Sequence, residues 1–170
     1  MKKTEQKYQT YVQILKEELI PAMGCTEPIS LAYGASLARK VLNHLPTKIV
    51  VEASGSIIKS VIVPHTHHLK GIKAAVCAGI IGGNDDKYLE VLSQIDEKTK
   101  KEIDQYIEKV DFEEHFLDSS KVFDYIITVW NKKEYACCLY RKKWKNTSKR
   151  EKYYKKGKSR SLIIRYKRYL

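Results

Sequence analysis

Apolar residues in the first forty positions recur every three to four residues, the spacing of one face of a helix. Tyr8, Tyr11, Val12, Leu15 and Leu19 form such a stripe and predict a helix from about Thr4 to Leu19. Pro21 ends it, because proline blocks continuation and restricts the residue before it. Pro28 sits in the first turn of a second helix, where its missing N–H has no helical partner to lose. That helix runs through Ala32, Ala35, Ala38 and Val41 and closes over Asn43 to Pro46. Its small residues allow close packing against another element. The period then changes. Lys48–Ala53 and Ile57–Val63 are β-branched runs joined by Ser54-Gly55-Ser56, the pattern of a β-hairpin. Gly71 to Gly83 is dense in Ala, Val, Ile and Gly and predicts a closely packed, buried helix. Asp85–Ser93 and Glu97–Val110 predict two more helices. Phe123, Tyr125, Ile127 and Val129 then alternate as in a strand, and Asn131-Lys132-Lys133 turns into a partner strand, Glu134–Leu139. The expected fold class is α+β: N-terminal helices, a β-hairpin and a buried helix, then an incomplete antiparallel sheet with Tyr135–Tyr140 as an open edge.

Charge divides the 170-residue chain in two. Residues 1–140 carry 18 Lys and Arg against 19 Asp and Glu, a net of −1; residues 141–170 carry 14 against one, a net of +13. The body therefore reads as an ordinary globular domain over 1–140. The tail, 141–170, loses both periods and reads as irregular. Such a composition fits an AT-rich gene translated out of frame, or a disordered segment. Its interleaved aromatics (Trp144, Tyr153, Tyr154, Tyr166, Tyr169) also suit phosphate contacts and base stacking, so a nucleic-acid-binding arm is the alternative. Met1–Thr10 is polar and unlike a signal peptide, and the longest apolar run, Ala74–Gly83, is too short for a membrane span. The expectation is a cytoplasmic protein with reduced thiols.

Candidate chemistry centres on Met23-Gly24-Cys25-Thr26-Glu27-Pro28, between two helical patterns. A cysteine at a helix start faces unpaired N–H groups that favour a negative sulfur, the form that binds metal or acts as nucleophile. The residue pattern also allows a small buried cysteine at 25, a first-turn acid at Glu27 and a capping hydroxyl at Thr26. Ser54-Gly55-Ser56 offers N–H groups and hydroxyls to a carboxylate, or a plain turn. His65, His67 and His68 follow Pro64, and Lys70 could hold an anion. Cys77 sits in the apolar helix, and Cys137 and Cys138 face opposite sides of one strand.

The run Ile14-Leu15-Lys16-Glu17-Glu18-Leu19-Ile20-Pro21-Ala22-Met23-Gly24-Cys25-Thr26-Glu27-Pro28 resembles the N-terminus of the L-cysteine desulfidase family, relatives of the alpha chain of iron–sulfur L-serine dehydratases. The likeness continues through Glu52–Lys59, Val63-Pro64, Leu69–Ala75 and Gly82-Gly83, to about Ala136. It implies a lyase with a [4Fe–4S] cluster that converts L-cysteine, or in relatives L-serine, to pyruvate and ammonia, with sulfide released from cysteine. Three cysteine thiolates would hold the cluster, with one iron left open. The resemblance places Cys25 as a cluster ligand. It places Thr26, Glu27, Ser54, Gly55, Ser56, Thr66 and Lys70 around the amino-acid substrate. Family chains are more than twice as long and carry their other cluster cysteines in the additional part. A Thr-Gly-Gly-like turn of the family reads Thr66-His67-His68 here. The implied protein is the N-terminal part of such a lyase, inactive by itself. A subunit of a split L-serine dehydratase is a further alternative, with a homo-oligomer or a partner subunit completing it.

Overall fold

A computed structural model describes residues 5–19, 22–59, 71–132, 134–141, 151–158 and 160–165. Its element order is α1 (Gln6–Glu18), α2 (Thr26–Leu42), β1 (Lys48–Ala53), α3 (Gly55–Ile58), α4 (Gly71–Gly82), a 3-10 segment (Asp85–Glu90), α5 (Glu97–Lys109), β2 (Asp111–Phe116), β3 (Asp124–Asn131), β4 (Glu134–Arg141), β5 (Glu151–Lys158) and β6 (Arg160–Arg165). The fold is α+β, with one sheet in the order β2-β1-β3-β4-β5-β6.

The centre of the fold is a contact between two helices. Gly79 of α4 lies against the backbone of Ala32 in α2: a Cβ at Gly79 would stand 2.1 Å from the Ala32 carbonyl oxygen. One turn further, a Cβ at Gly83 would stand 2.8 Å from the Ser36 Cβ. Residue numbers rise together along this seam, so α2 and α4 run parallel. The small residues noted in both patterns are what permit the approach. Arg39 of α2 closes the far end by donating from Nη1 to the Ile80 carbonyl.

The sheet stacks on this pair. β1 and β3 alternate buried and half-buried residues, as the period-2 pattern requires. Ile49, Val51, Tyr125, Ile127, Val129, Ala136 and Cys138 join the helices in one core. Gly34 of α2 brings that helix down on Tyr125 and Ile127, where a Cβ would come within 3.0 Å of the Tyr125 ring. Tyr125 is buried, stacks on Tyr140 (ring centroids 5.4 Å apart) and donates its hydroxyl to the Ser30 carbonyl at 2.7 Å. α5 is capped by Asp96, whose carboxylate accepts from the Thr99 N–H at 2.8 Å. It packs Ile103 and Tyr106 inward, the Tyr106 hydroxyl donating to the Pro46 carbonyl.

Several expectations are corrected. The run after Ser54 is not a hairpin strand: Gly55–Ile58 is a short helix, because Ile57 and Ile58 donate their N–H groups back to the Ser54 carbonyl. The remainder of that run, residues 60–63, lies outside the described residues. The sheet is mixed rather than antiparallel, since β2 pairs in parallel with β1, Lys48 opposite Asp111. Asp85–Glu90 is a 3-10 segment interrupted at Tyr88, where the backbone turns to φ 51°, ψ −114°. β4 is not an edge, and the tail is not wholly irregular: β5 pairs antiparallel with β4, and β6 with β5.

The Gly79 contact has a direct consequence. Gly79→Ala gains about 1 kcal/mol of helix propensity but forces a methyl into a backbone carbonyl, overpacking that costs about 3 kcal/mol. A net loss of about 2 kcal/mol is expected in urea unfolding. Gly55→Ala, whose Cβ would meet Phe116 at an ordinary 3.6 Å, is expected to shift stability by less than about 0.5 kcal/mol.

Candidate functional site

Gly24 adopts φ 82°, a left-handed turn open to glycine at little cost. It swings the chain into Cys25, the N-cap of α2. The Met23 N–H holds this turn to the Leu89 carbonyl at 3.2 Å, on the segment that carries the strained Tyr88. The Tyr88 ring rests against Tyr33 of α2, centroids 6.0 Å apart. The turn is thus pinned from both sides of the helix start.

Cys25 and Thr26 are exposed and Glu27 is half-buried. The reading of Cys25 as a small buried hydrophobe is therefore set aside. The Cys25 thiol donates to Glu27 Oε2 at 2.9 Å, and the Thr26 hydroxyl reaches the same oxygen at 3.4 Å. These donors, the thiol first, hold the Glu27 carboxyl below its ordinary value. The same contact keeps the proton on sulfur, because a carboxyl held below its ordinary value is a far weaker base than a thiolate, so a ligand or electrophile at Cys25 has to break it. The first-turn amides of α2 favour negative charge on either group.

The other expected segments meet the same end of the fold. Tyr125, whose hydroxyl grips Ser30 in the first turn of α2, is the register partner of Ala53 at the end of β1. Ser54 follows directly. The parallel seam puts Gly71, at the start of α4, level with the start of α2, because Gly71 precedes Gly79 by nearly as many residues as Cys25 precedes Ala32. Gly24–Glu27, Ser54–Ser56 and the start of α4 therefore gather at one end of the domain. Thr66, Lys70 and the histidines 65, 67 and 68 lie outside the described residues.

Within this group the serines are engaged by the protein itself. Ser54 and Ser56 both donate to the Val122 carbonyl, Ser54 at 2.8 Å. Ser54 Oγ also accepts from the Asp124 N–H at 3.3 Å, and the Ser54 N–H donates to the Asp124 carbonyl at 2.9 Å. Asp124 is itself fully buried and accepts from the Ser119 hydroxyl at 2.7 Å. The turn is a brace between β1 and β3, and the loop at Val122 is what a ligand would have to displace. Sequence reasoning missed Tyr88, Val122 and the anchoring hydroxyl of Tyr125. The first two act through backbone geometry, which leaves no side-chain signature, and the third looks like any strand tyrosine.

The donor set does not complete a [4Fe–4S] site. Among the described residues no three His, Cys, Asp or Glu side chains gather. Cys77 is buried at 0% exposure and its thiol is pushed up to about 12 by that burial. Cys138 is buried in the core. Cys137, one residue away in the strand, points to the opposite face of the sheet. The described residues supply one thiol to a cluster, not a set. A cleft of about 500 Å³ lined by Ser36, Arg39, Asn43, His44 and Gly83 lies at the other end of α2 and α4 and touches none of the expected site residues. No described helix is long and apolar enough to cross a membrane.

The fold and its Gly-Cys-Thr-Glu turn belong to an α+β protein with a cysteine at a helix start. The chain is similar to proteins named UPF0597. One from Desulfitobacterium hafniense is 49% identical over 139 residues, covering 80% of this chain and 32% of that protein. One from Treponema denticola is 51% identical over 106 residues, 61% of this chain and 25% of the relative. One from Lachnoclostridium phytofermentans is 49% identical over 98 residues, 56% and 24%. The chain thus spans about a third or less of the curated relatives it matches. Their names state no activity. No family model matches the chain, and no solved structure matches it significantly.

Two outcomes are expected from this geometry. Iodoacetamide modifies Cys25 in the native protein, while Cys77 and Cys138 react only on unfolding, as read by peptide mass mapping. In a carboxyl NMR titration Glu27 ionises below its ordinary value, and Cys25→Ala moves it back up. A depressed folded value means that this contact stabilises the fold above the unfolded carboxyl value and is lost as pH falls through the folded one.

Proposed function

We propose that this chain is the substrate- and cysteine-bearing N-terminal part of a lyase of the L-cysteine desulfidase type. The observation that supports it is the exposed Cys25 thiol hydrogen-bonded to Glu27 at the start of α2. It stands at the end of the fold where the other expected segments gather. In this reading Cys25 is a cluster ligand and Glu27, released from the thiol when the cluster binds, meets the amino-acid substrate. Thr26 and the Ser54–Ser56 turn face the amino-acid substrate, and Thr66 and Lys70, outside the described residues, are assigned to it by the family resemblance alone. A [4Fe–4S] cluster would supply an open iron as Lewis acid for the leaving group. One thiol does not hold such a cluster, so the 170-residue chain is inactive alone and the remaining ligands belong to the part of UPF0597 proteins it lacks.

The test is a chimera in which this chain's residues 1–136 replace the corresponding part of the D. hafniense relative. After anaerobic reconstitution with iron and sulfide, the chimera is expected to release sulfide and pyruvate from L-cysteine, and the 170-residue chain is not. Cys25→Ser in the chimera is expected to lower activity at least about 100-fold and to bleach the iron–sulfur absorbance, while Glu27→Gln lowers kcat/KM by about 10-fold and leaves that absorbance in place. Turnover that survives Cys25→Ser, or none from either the chimera or its intact parent, sinks the reading.

A further inference from the structure

The helices occupy one side of the sheet. α2 sits on Tyr125 and Ile127, α4 packs on α2, and α5 packs on α4. The α2, α4 and α5 layers thus all lie on that one side. The other face carries polar residues but is less polar over its central strands than the solvent face of an antiparallel region normally is. The register lines up Glu52, Ile126 and Leu139; Val50, Thr128 and Cys137; and Lys48, Trp130 and Tyr135. Val50, Ile126, Trp130, Tyr135, Cys137 and Leu139 are all half-buried there. They form one apolar patch across three central strands, about 14 Å wide at the usual strand spacing. On its β2 side the patch ends in charge: Lys48 pairs with Glu113 and with Asp111 (3.4 Å), and His115 lies 3.3 Å from Glu113. An apolar centre with a charged rim is the anatomy of a protein interface.

What covers it is indicated by length. The D. hafniense relative keeps 49% identity with this chain, yet this chain covers only 32% of it. A sheet with helices on one side and an apolar second face needs another layer, and these relatives carry the polypeptide to build one. We propose that the Val50–Trp130–Leu139 face of the sheet is the docking surface for the remaining two-thirds of a UPF0597 polypeptide. That segment packs on it in cis in the full-length relatives and is able to bind it in trans here. α1 is in the same position: Tyr11, Leu15 and Leu19 are 57%, 52% and 68% exposed along its apolar stripe. The inference does not depend on the lyase reading, since it concerns packing and not chemistry.

Cysteine reactivity tests it without requiring the missing part to fold alone. Cys137 in this chain, and a cysteine at the same position in the intact D. hafniense relative, are alkylated and followed by peptide mass mapping. The expected result is at least about 10-fold slower modification in the intact relative. Equal rates overturn the proposal. Co-expression of this chain with the part of the relative outside the match is expected to yield a 1:1 complex by light scattering. In that complex Cys137 is protected, Ile126→Lys weakens binding at least about 10-fold and Lys98→Glu on exposed α5 leaves it unchanged. A homodimer of this chain that Ile126→Lys dissociates would assign the face to a second copy and overturn the proposal. Should Ile126→Lys fail to fold, the Cys137 comparison stands on the unsubstituted proteins.

Discussion

The contact of Gly79 with the Ala32 backbone is the constraint from which the other features follow. Two helices this close cannot slide or rotate without a backbone clash. Their parallel course is therefore fixed, and with it the gathering of both N-termini at one end. Parallel neighbours align their dipoles unfavourably. A tight seam of small residues offsets this through dispersion and brings both helix starts to one end. Cys25 and Glu27 stand at that end, and Tyr125 secures it to the sheet through Ser30.

The same seam sets what the sheet can do. With α2 resting on Tyr125 and Ile127 and α4 on α2, one face of the sheet is filled by helix side chains. The brace at Ser54, Ser56, Asp124 and the Val122 carbonyl then ties the end of β1 to the start of β3. The serines of that brace and one oxygen of the buried Asp124 carboxylate exchange hydrogen bonds within it, and breaking such a bond in a buried setting is expensive. A substrate that uses these serines must exchange one hydrogen-bond set for another. The Cys25–Glu27 pair is exposed, and a ligand there has to replace the single thiol–carboxylate hydrogen bond rather than a buried set.

Elements with a strong period were legible in the sequence. β1 spans Lys48–Ala53 as its β-branched run indicates, and α5 turns Ile103 and the following Val110 inward as the spacing of Ile103, Ile107 and Val110 requires, with Ile107 partly buried and Tyr106, outside that stripe, buried as well. α3 was not legible: Ile57 and Ile58 have the β-branched character of a strand, and tertiary context overrides it. β2 was hidden because Asp111-Phe112-Glu113-Glu114-His115-Phe116 carries little apolar alternation; it is a parallel edge strand held by β1 and by Lys48. For the site, Cys25 was legible as a helix-start cysteine because Pro21 and Pro28 bracket it. Its exposure and its bond to Glu27 were not, since neither burial nor rotamer is written in local spacing. The engagement of Ser54 with Val122 crosses nearly seventy residues and needs the folded sheet to appear.

Two shortfalls of this chain point the same way for unrelated reasons. On the proposed lyase reading, a cluster needs several thiolates around one cavity, and the described residues offer one where the starts of α2 and α4 meet. A two-layer α+β domain can leave a sheet face in water only if that face is polar, and here the second face holds Trp130, Ile126 and Leu139. The first shortfall is chemical and the second is a matter of hydration, and they sit on different surfaces of the molecule. A single additional polypeptide would remedy both if it packed on the sheet and extended past the end of β1 to reach Cys25. Relatives some three times as long as the matched region contain enough chain to do so. A small bound molecule would not suffice, since it could fill the substrate end but would leave the sheet face exposed.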